Sequence, residues 1–78
     1  MVKIEVLGTG CAKCKSLTKN VEKAVQELGI KAEIVKVDRI QEIMDRGVMM
    51  VPALYIDGES KSMGRALSVA EIKKLLGS

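Results

Sequence analysis

The sequence of 78 residues predicts a single α/β domain, residues 1–78, with the element order β-α-β-α-β-β-α. Three observations carry this prediction. Apolar and polar residues alternate over Val2–Leu7, as in a strand, and apolar residues recur at spacings of three and four from Cys14 onward, as on a helix face. The dipeptide Asp57-Gly58 after a strand-like run favours a tight hairpin. With a right-handed crossover between the first two strands, the expected mixed four-stranded sheet has the order 2-1-3-4, with helices on both faces.

A glycine-rich loop separates the first strand from the first helix. Gly8-Thr9-Gly10 breaks the strand, and the two cysteines follow it at once. The helix carries an apolar stripe that is expected to pack on the sheet, and Gly29 is its predicted C-terminal stop. The stripe consists of Cys14, Leu17, Val21, Ala24, Val25 and Leu28.

The second strand and the second helix form a shorter and more polar pair. Lys31–Val37 is rich in β-branched residues but also carries lysine and glutamate, the mixture expected of an exposed edge strand. Asp38 is expected to cap the second helix, with Gln41 as its capping-box partner and Gly47 at its end. The predicted apolar face of this helix consists of Ile40, Ile43 and Met44.

The C-terminal third predicts a hairpin and a capped helix. Ala53–Ile56 is expected to form a buried strand, and a return strand over about Glu59–Met63 should pair with it antiparallel. Ser68 and Glu71 have the spacing of a capping box at the start of the last helix. Leu67 and Ile72 stand where a hydrophobic staple requires apolar residues, and Ile72, Leu75 and Leu76 are expected to dock the helix.

Composition and charge exclude several classes of function. The chain has two cysteines, no histidine and one aromatic residue, Tyr55, so histidine-based catalysis is excluded and an aliphatic core is expected. Two cysteines cannot complete a four-ligand zinc site unless carboxylates or a second chain contribute, and no metal site is predicted. The net charge of +3 comes from interspersed charges and gives little support for nucleic-acid binding.

The apolar segments of the sequence are short. None approaches the roughly 20 apolar residues of a membrane span, and the first residues begin a strand pattern rather than a signal peptide. We therefore expect no membrane association and a cytoplasmic location, where a Cys-x-x-Cys pair is more often catalytic or metal-binding than structural. Interspersed charges and the lack of aromatic anchors favour a monomer.

The positions of Cys11 and Cys14 predict two unequal thiols. Cys11 falls where the first helix begins, so unpaired backbone N–H groups and the helix dipole favour its thiolate, and Lys13 and Lys15 add positive charge. Cys14 lies in the apolar stripe, on the inward face. This asymmetry suits thiol–disulfide exchange, in which Cys11 attacks a protein disulfide and Cys14 resolves the mixed disulfide. No cofactor is expected beyond the redox-active disulfide that Cys11 and Cys14 would form.

Three motifs resemble those of a known family. Residues 11–14 (CAKC) stand at the first strand–helix junction, Val51-Pro52 precedes the third strand, and residues 64–68 (GRALS) precede the last helix. With the chain length and residues 47–58 (GVMMVPALYIDG), these motifs make the chain similar to the small glutaredoxin-like thioredoxins of archaea and bacteria. The resemblance spans nearly the whole chain and implies the thioredoxin fold.

The resemblance also implies a substrate groove and partners. In that fold the proline is cis and faces the dithiol, so Pro52 is implied to shape a groove in which the backbone of Val51 pairs with an extended substrate peptide. Gly64 is implied to border the same groove. The implied substrates are protein disulfides, and the implied electron donor is an NADPH-dependent flavoprotein thioredoxin reductase. Of Met49 and Met50, at least one is expected to fill the core.

The chain departs from the well-known thioredoxins, which carry tryptophan before the first cysteine and Gly-Pro between the pair. Here Gly10 and Ala12-Lys13 occupy those positions, so the family resemblance does not predict the reduction potential of the dithiol. No glutathione-binding signature is evident in the sequence. Glu5 has the spacing of the buried carboxylate that assists proton transfer in thioredoxins, and it is the candidate for that role. Because Glu5 alternates with Lys3, a solvated or cross-strand-paired glutamate is the favoured interpretation.

Two alternative functions remain open. Small heavy-metal-associated domains place a Cys-x-x-Cys pair at the same junction, and two thiolates can hold Cu(I). Such domains usually have methionine two residues before the first cysteine, where this chain has Thr9, and they end in a strand rather than a helix. The second alternative is a binding module in which the pair is a redox-sensitive contact without turnover. Thiol–disulfide exchange is favoured over both.

Overall fold

The structure, a computed structural model, describes residues 2–10 and 12–77. In chain order its elements are β1 (Val2–Leu7), α1 (Ala12–Leu28), β2 (Ala32–Val37), α2 (Ile40–Asp45), β3 (Ala53–Ile56), β4 (Glu59–Met63) and α3 (Val69–Gly77). The strands form a four-stranded sheet in the order β2-β1-β3-β4. The β1–β2 pair is parallel, and the β1–β3 and β3–β4 pairs are antiparallel. The predicted element order and strand order are thereby confirmed.

Alternation along β1 places apolar side chains on both faces of the sheet. Ile4 and Val6 belong to the face covered by α1 and α3, whereas Leu7 belongs to the face covered by α2. Two aliphatic clusters result, one on each face. The first contains Ile4, Val6, Leu17, Val21, Ala24, Leu54, Ile56, Leu67 and Ile72, and the second contains Leu7, Val37, Ile43, Val48 and Ala53.

The start of α2 differs from the prediction. The residue at its N-cap is Arg39, with φ −84° and ψ 120°, and no side chain caps the helix there. The predicted capping box of Asp38 and Gln41 is therefore wrong. The Gln41 side-chain amide instead donates a hydrogen bond of 3.1 Å to Asp45, one turn further along the helix. Residues four positions apart are neighbours on a helix surface, so Asp45 is within reach of the Gln41 side chain.

The apolar face of α2 is also smaller than predicted. Ile43 is buried, whereas Ile40 and Met44 are 63% and 64% exposed. A helix of six residues has less than two turns, so it presents few positions to the sheet. Gly47 ends this region as predicted: its φ is +73°, and its N–H donates to the Met44 carbonyl at 2.9 Å.

The β3–β4 hairpin follows from its turn residues. Asp57 and Gly58 have φ values of 52° and 84°, the left-handed pair that a two-residue type I′ turn requires. The Asp57 carboxylate accepts a hydrogen bond of 3.0 Å from the Lys3 backbone N–H, and the Asp57 N–H donates to the Lys3 carbonyl at 2.8 Å. The turn is thus joined to the start of β1, which aligns β3 in the centre of the sheet.

The predicted capping box at the start of α3 is present. The Glu71 N–H donates to the Ser68 hydroxyl at 3.2 Å, and the Ser68 N–H donates to the Glu71 carboxylate at 3.3 Å. The hydrogen bond from the Ser68 backbone lowers the pKa of Glu71. Leu67 and Ile72, the predicted staple residues, are both buried in the cluster that joins α3 to α1.

We expect Ser68→Ala to lower the thermal midpoint by about 5 °C, because the last helix loses its N-cap acceptor. Thermal unfolding followed by circular dichroism measures this shift. Ser16→Ala is the matched control, since Ser16 is exposed within α1 and is not its N-cap residue. Equal midpoints for Ser68→Ala and Ser16→Ala would contradict the stabilising role of the cap.

Candidate functional site

The candidate site lies at the edge of the sheet where β1 ends and β3 begins. Leu7 is paired with Ala53, so Gly8 and Pro52, the next residues outward on the two antiparallel strands, come together. A Cβ built on Gly8 would lie 3.9 Å from the Pro52 Cα. The Val51–Pro52 peptide bond is cis, as the resemblance implies. The fold therefore brings the proline beside the loop that leads into the cysteines.

Cys14 projects from α1 toward this same point. It lies on the inward face of the helix and is 5% exposed, which agrees with its place in the apolar stripe. Its carbonyl accepts a hydrogen bond of 3.0 Å from the Thr18 hydroxyl, one turn further along α1. Its sulfur lies against Gly8, where an added Cβ would be only 2.3 Å from Sγ. Cys14, Gly8 and Pro52 thus form the described centre of the site.

Cys11, the predicted nucleophile, lies outside the described residues, so its role stays a prediction. Lys13 and Lys15, the predicted sources of positive charge, are both exposed in the first turn of α1. Within residues 2–10 and 12–77, neither lysine forms an ion pair with a carboxylate. Their effect on the Cys11 thiolate stays a prediction.

The predicted groove residues lie together beside the site. Pro52 is fully buried, Val51 is exposed, and the Gly64 N–H donates to the Pro52 carbonyl at 2.8 Å. Gly64 has φ +75°, and an added Cβ there would lie 2.9 Å from the Met50 Cε. The expectation that Met49 or Met50 fills the core is wrong, since they are 91% and 60% exposed. Both methionines are exposed instead, and the Met50 side chain lies against Gly64.

Glu5 is buried, in contrast to the favoured interpretation of a solvated or cross-strand-paired residue. It is 5% exposed, and its carboxylate accepts a hydrogen bond from the guanidinium of Arg46, which follows the last residue of α2. Arg46 also lies over the Tyr55 ring, with its Cζ 5.5 Å from the ring centroid. Glu5 alternates with Ile4 and Val6, so it lies on the α2 face of the sheet.

Glu5 and Arg46 each shift the pKa of the other. The hydrogen bond from Arg46 lowers the pKa of Glu5, against the opposing effect of burial, and the bond to Glu5 raises the pKa of Arg46. Glu5 is therefore ionised at neutral pH. Sequence reasoning missed Arg46, and the only available signal was its position at the end of a helix that covers the Glu5 face.

An open cavity of 520 Å³ borders Cys14, between α1 and β2. Gly8, Gly10 and Cys14 are among the residues that line it, as are Lys15, Thr18 and Lys36. Gly8 is a second residue that sequence reasoning missed as part of the site. The signal was present, because Gly8 is the first residue after β1 in the loop before the cysteines.

The described part of the chain holds neither a cluster of metal-ligating side chains nor a helix that could span a membrane. Residues 2–10 and 12–77 hold no group of three or more potential metal-ligating histidine, cysteine or carboxylate side chains. None of the helices formed by these same residues has the length and apolar character needed to cross a membrane.

Comparison with known proteins identifies relatives over the whole chain. The sequence model of the family described as Thioredoxin domain matches residues 2–77. A curated thioredoxin of Methanothermobacter thermautotrophicus (strain Delta H) is 50% identical over 76 residues, which covers 97% of this chain and 99% of that protein. A thioredoxin of Methanocaldococcus jannaschii is 47% identical over 78 residues, covering 100% of this chain and 90% of that protein.

Solved structures show the same fold at lower identity. A malaria parasite thioredoxin-2 superposes with a TM-score of 0.74 at 15% identity, covering 99% of this chain and 82% of that chain. Glutaredoxin 1 of Francisella tularensis superposes with a TM-score of 0.51 at 20% identity, with full coverage of both chains. The family match and the two archaeal relatives together establish that the chain belongs to the thioredoxin domain family, a family of thiol–disulfide oxidoreductases.

Proposed function

We propose that this protein exchanges its Cys11–Cys14 dithiol with disulfides of other proteins, with Cys11 as the attacking thiolate and Cys14 as the resolving thiol. The observation that carries the proposal is the position of Cys14: its sulfur is buried against Gly8, beside Pro52, at the edge of the sheet. A sheltered second sulfur at this place suits resolution rather than first attack. The archaeal thioredoxin relatives support the same reaction class.

The reaction has two displacement steps. The Cys11 thiolate attacks one sulfur of the substrate disulfide, the substrate S–S bond breaks, and the other substrate sulfur leaves with the electron pair and takes up a proton. Cys14 then loses its proton and attacks the Cys11 sulfur, which releases the second substrate thiol. The substrate gains two electrons and two protons, and the protein dithiol becomes the Cys11–Cys14 disulfide.

The surface around Pro52 supports an extended peptide as the substrate. Val51 is exposed next to the proline, and the Met50 side chain lies against Gly64, which hydrogen-bonds to the Pro52 carbonyl. We propose that a substrate segment pairs with the backbone of Val51, as in β-strand addition, while its side chains contact Met49 and Met50. Thioether side chains adapt to many shapes, which suits a protein that accepts varied substrates.

The remaining parts of the proposal concern the cellular setting and proton transfer. We propose a monomer that works in the cytoplasm, with an NADPH-dependent thioredoxin reductase as its electron donor. Glu5 stays a candidate for assisting proton transfer. Its pairing with Arg46 favours the ionised form, so Glu5 would accept a proton from the site rather than donate one.

Insulin reduction tests the proposal against the copper-carrier alternative. With dithiothreitol as donor, we expect the protein to accelerate the precipitation of insulin chains over dithiothreitol alone. A double variant with Cys11→Ser and Cys14→Ser is the control and should give the background rate. A parallel Cu(I) titration measures the competing function. Tight Cu(I) binding without acceleration of insulin reduction would contradict the proposed function.

A further inference from the structure

Gly8 is held in place by β2 and is covered by Cys14. Its N–H donates a hydrogen bond of 2.9 Å to the Val37 carbonyl, which continues the β1–β2 pairing one residue past the end of β1. Gly8 is itself buried. A Cβ added to it would lie 2.3 Å from the Cys14 sulfur and 3.0 Å from the Cys14 Cβ. The backbone at this point cannot move away without breaking the pairing with Val37.

Space, and not backbone conformation, requires glycine at this position. Five other glycines have positive φ, the region that favours glycine, but Gly8 does not. An alanine could therefore adopt the backbone conformation of Gly8 without strain. By contrast, at Gly10 and Gly77 an added Cβ would meet nothing within 4 Å. The neighbour that excludes a side chain at Gly8 is the Cys14 side chain.

We propose that Gly8 is a positioning residue that sets where the Cys14 sulfur lies for its attack on the mixed disulfide. This inference rests on the proposed function. Carbon and sulfur in contact stand at least about 3.5 Å apart, so a Cβ at position 8 would displace the sulfur by about 1 Å. Displacements of this size in a reacting group lower rates by on the order of 100-fold.

Displacement of the Cys14 sulfur should slow only the second displacement step, the resolution of the mixed disulfide. Cys14 does not take part in the first attack, so a displaced Cys14 sulfur leaves that step unchanged. Resolution requires the Cys14 sulfur to approach the Cys11 sulfur in line with the bond that breaks. Gly8→Ala should therefore accumulate the mixed disulfide even though both cysteines are present.

The test uses the full chain, reduced and mixed with an equimolar amount of the aromatic disulfide dithiobis(nitrobenzoate). Attack by Cys11 releases one coloured nitrothiobenzoate anion, and resolution by Cys14 releases the other. We expect Gly8→Ala to keep the rate of the first release and to slow the second, concentration-independent release by on the order of 10-fold to 100-fold. Gly77→Ala is the matched control, because it adds the same methyl group in open space.

Each outcome of this experiment bears on the inference. A second release as fast as that of the wild type, or equal slowing of both releases, would overturn the role assigned to Gly8. Failure of the proposed function looks different. In that case the wild-type protein itself would release no second anion and would not accelerate insulin reduction.

A stability measurement covers the case in which Gly8→Ala does not fold. Under reducing conditions, Gly8→Ala is compared in the wild-type background and in a Cys14→Ala background, where the sulfur is absent. We expect the loss of unfolding free energy to be clearly smaller in the second background, because the closest contact has been removed. Equal losses in both backgrounds, or unfolding in both, would show that position 8 requires glycine for another reason and would overturn the inference.

Discussion

We expect Cys11→Ser to abolish disulfide reduction and to form no mixed disulfide with insulin or with dithiobis(nitrobenzoate). The remaining thiol, Cys14, is 5% exposed and lies against Gly8, so a protein disulfide cannot reach it. Insulin precipitation in the presence of dithiothreitol should fall to the rate of dithiothreitol alone. Mass spectrometry of the reaction mixture under nonreducing conditions would show only the unmodified variant.

Cys14→Ser is the matched variant and should behave in the opposite way. Its Cys11 can still attack, but the second displacement has no nucleophile, so mixed disulfides through Cys11 should accumulate and turnover should stop. The two variants together test the assignment of roles, since each keeps one thiol. Accumulation of mixed disulfides in Cys11→Ser, with none in Cys14→Ser, would reverse the roles of the two cysteines.

The fold could be predicted because its signals are local and periodic. Alternation over Val2–Leu7 buries one set of side chains on each face, and Asp57-Gly58 has the residues that a type I′ turn requires. The capping box of Ser68 and Glu71 is also contained within four residues. The cap of α2 was mispredicted because aspartate is a common N-cap residue, whereas the N-cap position here is held by Arg39 and the helix begins at Ile40.

The parts of the site that escaped prediction depend on tertiary contacts. Glu5 and Arg46 are 41 positions apart, and no pattern within β1 indicates that the end of α2 covers that carboxylate. The same holds for Gly8, whose role depends on how closely Cys14 of α1 approaches the end of β1. Local patterns predicted which face Cys14 occupies, and only the packing of α1 on the sheet shows what the sulfur touches.

Arg46→Met should be among the most destabilising single substitutions, because it leaves the buried carboxylate of Glu5 without its cation. Removing one partner of a buried ion pair costs several kcal/mol, and the Arg46 side chain is 29% exposed, so we expect a loss of about 2–3 kcal/mol at neutral pH. For a domain of this size, that loss lowers the thermal midpoint by on the order of 10 °C. Chemical denaturation at neutral pH measures the free energy of unfolding directly.

The pH dependence identifies the ion pair as the cause. Arg46 lowers the pKa of Glu5, so the pair stabilises the fold fully above the ordinary pKa of a glutamate, about 4.3, and this stabilisation is lost as the pH falls through the lower folded-state pKa. The difference between wild type and Arg46→Met should therefore shrink in acid.

Two further variants serve as controls. Lys61→Met removes the exposed pair with Glu59 and should cost less than about 1 kcal/mol. Adding Glu5→Gln to Arg46→Met should recover part of the lost stability, because no buried charge then remains unpaired. A deficit of the same size at every pH, unrelieved by Glu5→Gln, would mean that Arg46 stabilises the fold through packing on Tyr55 rather than through its charge.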